Sequence, residues 1–313
     1  MKIVTLDAGT LPVQLEKPQS CDNWVYREST REEDVVSILD NAEIVITNKV
    51  PLRKATLEKL PSLRFICVAA TGYDCIDTDY CRERGIVVSN VPGYSTRSVS
   101  ESVIASVFAL RRHLVEYCCS PHTEWSLSSH FCLHKSPIGD IQEATLGIIG
   151  RGDIGCAVAR LARALGMNVL FAERPGQSSV REGYTLFDDV ISQSDILTLH
   201  CPLTPETHQI INQDVLARMK PSALLINTAR GALINEDDLA DALTRGEIAG
   251  AALDVLAKEP PSPENKLLHV RNKNLLITPH IAWASQTGVN NLIKGINYNL
   301  AGFFAGAIKN RVV

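Results

Sequence analysis

No dense run of lysine or arginine occurs in this chain of 313 residues, and 31 basic against 35 acidic side chains leave a net charge of −4. A polyanion needs a basic face to settle on, so nucleic acid and acidic membrane surfaces are excluded as partners and small metabolites are favoured. Nor is there an uninterrupted apolar run of about 18 residues, the length that a membrane-crossing helix requires. The N-terminal Met1-Lys2-Ile3-Val4-Thr5-Leu6-Asp7 breaks on an acid where an export signal would stay apolar, so a cytoplasmic protein is expected. No period of 20 to 50 residues repeats and no low-complexity stretch occurs, which argues against solenoids and disordered tracts.

C-x-x-C pairs are also missing. The nine cysteines are odd in number and several lie inside apolar runs, so they read as reduced, mostly buried thiols rather than a disulfide framework. One segment concentrates metal-ligand types: Cys118, Cys119, His122, His130, Cys132 and His134. Structural zinc sites favour closely spaced cysteine pairs, and this spacing matches none of them, so no metal is expected.

What is present is alternation. A chain of this length exceeds what one hydrophobic core usually supports, so two domains are expected. Short β-branched runs at 2–6, 44–47, 65–69 and 86–88 alternate with helix-like stretches near 32–40, 54–60 and 77–83. That pattern predicts a parallel α/β unit. Asn90-Val91-Pro92-Gly93 is a turn, and Ser98-Val99-Ser100-Glu101 fits a capping box opening a helix to about residue 115. A second alternation follows, with strands near 146–150, 168–172, 195–199, 223–228, 249–253 and 275–278 and helices near 154–165, 212–219 and 236–245. Six such strands make a complete nucleotide-binding sheet. The amphipathic stretch 286–306 is predicted to return to the first domain. The expected architecture is two doubly wound parallel-sheet α/β domains, residues 1–97 with 286–313 and residues 98–285, with a cleft between them.

Gly150, Gly152 and Gly155 follow the strand Leu146-Gly147-Ile148-Ile149 and open a helix at Ile154. An acid, Glu173, ends the next strand. In that context the glycines let backbone approach a pyrophosphate at a helix N-terminus, and the acid receives the adenosine ribose hydroxyls. A dinucleotide is therefore expected. Glu173 favours NAD, because a carboxylate repels a 2′-phosphate, while Arg174 beside it keeps NADP open.

Arg230, Glu259 and His280 each come after a predicted strand, on the sheet edge that carries the glycine turn. Singly, they would read as a solvated loop residue, a turn acid and a capped or core histidine. Together they are the groups that hydride chemistry requires. Reduction of a ketone leaves an alkoxide unless a proton arrives, and a histidine is the natural donor near neutral pH. A carboxylate against it fixes the tautomer and favours the imidazolium, the role expected of Glu259 toward His280. The Arg230 guanidinium could hold a substrate carboxylate and polarise the adjacent carbonyl.

Asn227-Thr228-Ala229-Arg230-Gly231, Leu253-Asp254-Val255 followed by Glu259-Pro260, and Pro279-His280-Ile281-Ala282-Trp283-Ala284-Ser285 are similar to the three signature segments of the D-isomer-specific 2-hydroxyacid dehydrogenases. The similarity runs through nearly the whole chain. Phe171-Ala172-Glu173-Arg174, Arg181-Glu182-Gly183-Tyr184 and His280-Ile281-Ala282-Trp283 most resemble the bacterial glycerate dehydrogenase (hydroxypyruvate reductase) branch. The resemblance implies a flavodoxin-like substrate domain beside a Rossmann NAD domain. It implies Arg230 as the substrate-orienting residue, Glu259 as partner of the histidine, and His280 as acid for reduction and base for oxidation. It places the substrate carboxylate on backbone N–H groups of Thr71 and Gly72. On the cofactor side it implicates Asp153 and Ile154 at the pyrophosphate, Glu173 at the ribose, and His200, Cys201 and Pro202 beside the adenosine. Thr228, Ala229 and Asp254 fall at the nicotinamide half, with Asp254 on the carboxamide, and Thr96 lies beside the cofactor.

The chain departs from the family pattern at Glu143, where a turn glycine is usual, and at Ser100, where alanine is usual. It also lacks the C-terminal regulatory extension of many phosphoglycerate dehydrogenases, so serine feedback is not expected. The stretch 117–143, with Trp125, matches the arm through which family members pair, and a homodimer is expected. Hydroxypyruvate is the favoured substrate, with glyoxylate, 3-phosphohydroxypyruvate, pyruvate and 2-ketogluconate behind it. Because a fold does not fix function, an NAD(H)-sensing corepressor-like binding protein is the reading of a different class.

Overall fold

The computed structural model describes the chain apart from residues 14, 16–20, 22, 122, 272 and 273. It divides into two compact units, Met1–Ser95 with Ala284–Val313, and Thr96–Trp283. The first unit begins with β1 (Lys2–Thr5), β2 (Asn23–Tyr26), α1 (Val35–Ile38), β3 (Ile44–Thr47), α2 (Lys54–Leu57), β4 (Phe65–Val68), α3 (Thr78–Arg84) and β5 (Val87–Ser89). Its strands pair in parallel in the order β2-β1-β3-β4-β5. Every residue of β3 and β4 is buried, as parallel strands covered on both faces must be. Asp7, at the carboxyl end of β1, is buried and accepts the backbone N–H groups of Asn48 (2.9 Å) and Lys49 (2.7 Å), which ties down the turn after β3. Burial raises its carboxyl pKa above the ordinary value, against the pull of those hydrogen bonds.

The second unit contains α4 (Thr96–Arg111), α5 (Leu114–Cys119), β6 (Thr145–Ile149), α6 (Asp153–Ala164), β7 (Asn168–Ala172), α7 (Phe187–Gln193), β8 (Ile196–Leu199), α8 (Gln213–Leu216), β9 (Leu224–Asn227), α9 (Glu236–Arg245), β10 (Gly250–Leu253) and β11 (Leu275–Ile277). The parallel order is β11-β10-β9-β8-β6-β7. Side chains alternate across this sheet with period two. Leu146, Ile148, Ile196, Leu224 and Ile226 pack with Val103, Val107 and Leu110 of α4 and Val158 and Ala162 of α6. On the other face Ile149, Leu197, Leu199 and Leu225 meet α7, α8 and α9 through Ile191, Leu216 and Leu243.

The chain returns to the first unit as α10 (Gln286–Phe304), capped by the Ser285 side chain accepting from Gly288 N–H at 3.0 Å. Phe303 near its end stacks on buried Phe65 of β4, centroids 4.6 Å apart. Among the described residues no helix is long and apolar enough to cross a membrane.

The helix expected from Ser98 differs in two ways. It starts at Thr96, so Ser98 is interior, and its hydroxyl donates to the Ala282 carbonyl at 2.6 Å instead of capping. It also stops at Arg111, because His113 takes a left-handed φ of +49° and a new helix, α5, begins after it. Glu143 has a φ of +67°, the backbone conformation in which glycine is at ease.

Candidate active site

The carboxyl ends of β9, β10 and β11 lie side by side, and each leads into one member of the trio expected from the sequence. Arg230 lies three residues beyond β9, Glu259 six beyond β10 and His280 three beyond β11. With strands about 4.8 Å apart, three adjacent ends span roughly 10 Å. The glycine turn sits on the same edge, after β6, where the order reverses: the chain runs to β7 on one side of β6 and then crosses to β8 on the other. That reversal point is where doubly wound sheets place ligands.

No cofactor is present, and the turn can be tested for whether one would fit. Gly150 has φ +106°, and a Cβ there would lie 2.5 Å from the His200 carbonyl, so β6 and the stretch after β8 meet too closely for any side chain. A Cβ on Gly155 would collide with the Gly150 carbonyl, which makes this glycine the condition for α6 packing against the turn. Gly152 is different: among the described residues nothing lies within 4 Å of a Cβ built there, so that side of the turn is open. Gly152 precedes α6 without a side-chain cap, and among the described residues no acceptor takes the N–H groups of Asp153 and Ile154. Orphan donors at the positive end of a 12-residue helix suit a pyrophosphate. Further along the edge the Thr228 hydroxyl is buried with no hydrogen-bond partner among the described residues. Burying a hydroxyl unpaired costs free energy, and a ligand amide would satisfy it. The residues therefore fit a dinucleotide.

Glu173 follows β7 directly, and the pairing of Ile149 with Ala172 sets it beside Gly150. Its carboxylate is 4% exposed and is gripped by Arg181 through Nε and Nη2, both at 2.7 Å. Arg174 and Arg181 backbone N–H groups add bonds of 2.8 and 3.2 Å. The Arg181 guanidinium, helped by these N–H groups, holds the Glu173 pKa at about 2.

His200 and Cys201 form the wall against Gly150, followed by Pro202. Burial pushes the Cys201 thiol up to about 11, so it stays a neutral thiol at neutral pH. Burial pushes His200 down to about 4 from its ordinary 6.5, and it stays neutral with Nε2 3.0 Å from the Thr198 hydroxyl. Between those values the unfolded chain binds a proton that the folded chain refuses, so stability falls as pH drops from about 6.5 to about 4. His200→Gln is expected to remove about 2 kcal/mol of this loss at pH 5. Thermal melts at pH 7 and pH 5 read it directly: wild type drops more than the variant.

The trio of Arg230, Glu259 and His280 is held from behind. His280 Nδ1 lies 2.7 Å from Glu259 Oε2, while Glu259 Oε1 accepts the Leu256 N–H at 3.1 Å, so the carboxylate is pinned from both sides. His280 has a left-handed φ of +55°, a strained choice for a non-glycine residue. Its backbone is fixed all the same: N–H donates to the Asp254 carbonyl at 2.8 Å and its carbonyl accepts Trp283 Nε1 at 2.9 Å. The buried Asp254 carboxylate accepts from Thr278 Oγ1 (2.6 Å), Ile281 N–H (2.9 Å) and Ala282 N–H (2.8 Å), so it organises the His280 loop. One of its four acceptor positions is left over for a carboxamide. On the next strand Asn227 is buried; its amide donates to the Arg230 carbonyl at 2.8 Å and accepts the Ala229 N–H at 3.0 Å. Arg230 Nη1 donates to the Ala229 carbonyl at 2.7 Å. Asn227 and Thr278 are thus positioning residues whose only sign in the sequence was a polar residue at a strand end, and Ser98, expected as a helix cap, holds the Ala282 carbonyl instead.

In the first unit, Thr71 and Gly72 follow β4. The Thr71 hydroxyl donates to the Val91 carbonyl at 3.1 Å and Asn90 Nδ2 donates to the Thr71 carbonyl at 2.7 Å, which fixes the loop. Among the described residues no acceptor takes the Thr71 or Gly72 N–H. Thr96 is the first residue of α4. In the cysteine- and histidine-rich segment, Cys132 Sγ lies 3.6 Å from His134 Nε2, and no cluster of three or more metal-ligand side chains occurs among the described residues. His122 of that segment lies outside them.

Residues 104–282 match the model of the D-isomer specific 2-hydroxyacid dehydrogenase NAD binding domain. The chain is 42% identical to a glycerate dehydrogenase of Methylorubrum extorquens, over 99% of this chain and 98% of that one. It is 38% identical to a hydroxypyruvate reductase of Blautia hydrogenotrophica, over 100% and 99%. Among solved structures, D-lactate dehydrogenase from Aquifex aeolicus, complexed with NAD and lactic acid, superimposes with a TM-score of 0.81 at 28% identity, covering 98% of this chain and 96% of that one. The chain belongs to the NAD-dependent D-isomer-specific 2-hydroxyacid dehydrogenases.

Proposed function

We propose that this enzyme reduces hydroxypyruvate to D-glycerate, and glyoxylate to glycolate, with His280 as the proton donor. The observation that carries the reading is the 2.7 Å contact of His280 Nδ1 with Glu259, on the sheet edge that Arg230 shares. Because Nδ1 is committed to Glu259, Nε2 is the nitrogen that exchanges a proton with substrate. Bound NADH supplies the hydride that adds to C2 of the 2-oxo acid. His280 delivers a proton to the resulting oxygen and is left as the neutral tautomer that Glu259 holds; in oxidation the same nitrogen takes the proton back. Arg230 orients the substrate and polarises its carbonyl through its guanidinium. The N–H groups of Thr71 and Gly72 receive the substrate carboxylate.

A small hydroxylated substrate is favoured over a phosphorylated one. The cation that a phosphate would call on, Arg97, is already paired with Glu101 at 2.7 Å. The test is NADH consumption with a panel of hydroxypyruvate, glyoxylate, pyruvate, 3-phosphohydroxypyruvate and 2-ketogluconate. Hydroxypyruvate is expected to give the highest kcat/KM. No turnover with any of them would move the reading to an NAD(H)-sensing protein.

The same proposal includes a cytoplasmic homodimer. All nine cysteines are unpaired, as in a reducing compartment. Around residues 125–131, Leu127 is 84% and Phe131 91% exposed, beside half-exposed Trp125. Large apolar side chains this exposed on one segment call for a cover, and a two-fold partner presenting the same segment supplies it. Sedimentation of the wild type at micromolar concentration is expected to give a dimer, and Leu127→Asp with Phe131→Asp a monomer. A monomeric wild type refutes this part.

A further inference from the structure

We propose that Glu236, at the start of α9, is a positioning residue for the acid–base pair: its carboxylate ties down the peptide between Leu256 and Ala257, where the loops carrying Arg230 and Glu259 meet, and so sets Glu259 against His280. The role depends on Glu259 holding His280, as in the proposed reaction.

An acid in the first turn of a helix usually caps it or answers its positive end. Here the cap is Asn235, whose side chain accepts the Asp238 N–H at 3.3 Å. Glu236 turns both oxygens away from its own helix. Oε1 accepts the Ala257 N–H at 2.6 Å and Oε2 accepts Asn265 Nδ2 at 2.7 Å, short bonds to a charged acceptor and so of the stronger class. Residues 257 and 265 bracket the loop that carries Glu259. Asn265 is itself fixed, its Oδ1 accepting the Leu267 N–H at 2.9 Å. Beside it Lys266 pairs with Asp237 at 3.2 Å, but both side chains are exposed and the pair adds little.

Two consecutive backbone N–H groups serve two different carboxylates. Leu256 N–H donates to Glu259 Oε1 at 3.1 Å, and the next, Ala257 N–H, donates to Glu236. Turning one peptide plane disturbs the other. From the opposite side Gly231, the residue after Arg230, presses on the same peptide: a Cβ there would collide with the Leu256 carbonyl carbon and the Ala257 nitrogen. The exits of β9 and β10 therefore touch at this point. Leu256 is buried, whereas the chain from Ala257 to Pro260 is exposed, so packing stops where the Glu236 bond begins. Without that bond the Leu256–Ala257 peptide is free to tilt, which carries the Leu256 N–H, and with it Glu259 Oε1, out of line with His280 Nδ1. Misplacing a catalytic group by about 1 Å can cost about a hundredfold in rate.

The test is a double-mutant cycle read by steady-state kinetics with the best 2-oxo acid of the panel. Glu236→Ala is expected to lower kcat by about ten- to hundredfold while the KM for NADH stays within about twofold, because the glycine turn is untouched. In a Glu259→Gln background the carboxylate to be positioned is gone, so the same change is expected to cost less than about twofold more. A merely structural role would slow both backgrounds by the same factor. That outcome overturns the proposal, as does an unchanged kcat in Glu236→Ala. Where Glu236→Ala does not fold, Asn265→Ala takes its place in the cycle, with an expected loss of about three- to tenfold in the wild-type background and none in the other, and the same two outcomes overturn the proposal. Glu259→Gln turning over at the wild-type rate would sink the proposed His280–Glu259 pair itself, and the role of Glu236 with it.

Discussion

His280→Gln is expected to lower kcat for 2-oxo acid reduction by about two to four orders of magnitude, with a far smaller change in the KM for NADH. Glutamine keeps the approximate length and an amide that can still meet Glu259, so the loop held by Asp254 has no reason to move. It removes the ability to hand over a proton. Reduction then depends on water to neutralise the developing alkoxide, and a positioned acid typically contributes 10²- to 10⁴-fold. Steady-state kinetics in both directions provide the check, since one nitrogen serves both: oxidation of D-glycerate should fall by a similar factor. A variant within about fivefold of wild type in both directions would remove His280 from the chemistry.

Arg230→Gln should cost about 10²- to 10³-fold in kcat/KM, divided between a raised KM for the oxo acid and a lowered kcat. In the proposed reaction the guanidinium supplies two different things. Its charge binds the substrate carboxylate in ground state and transition state alike, which moves KM. Its contact with the carbonyl oxygen strengthens only as negative charge develops there, which moves kcat. Arg230→Lys separates them. It keeps the charge but loses the planar fork, so it should recover KM more than kcat. If lysine restored both, the fork geometry would have no role.

Much of this site was legible because each part rests on a local signal. Strand ends at Asn227, Leu253 and Ile277 are marked by apolar runs, and the polar or charged residues after them fall on one edge by topology alone. The glycine turn was legible for the same reason, and the structure supplies the cause at Gly150 and Gly155, where a Cβ has no room. Signals that require tertiary context were lost. β2 was missed because Asn23–Tyr26 is a four-residue edge strand paired only with β1 among the described residues, with no fully buried position to mark it as a core strand. α7 was missed although Phe187, Val190 and Ile191 show helical spacing, because its seven residues begin without a side-chain cap. The Ser98 capping box was read literally, but the helix starts two residues earlier and turns that hydroxyl to Ala282, 184 residues away. Arg181 lies eight residues beyond Glu173 across a loop with no regular structure, so pattern alone could not pair them.

The most direct test of the central claim uses NADH carrying deuterium at both C4 positions, with hydroxypyruvate as acceptor, and locates the label in the product by NMR. Deuterium is expected at C2 of D-glycerate with wild type, and its appearance is expected to slow by about two to four orders of magnitude with His280→Gln. Unlabelled or L-configured product, or label arriving at the same rate without the histidine, contradicts the assignment of this site.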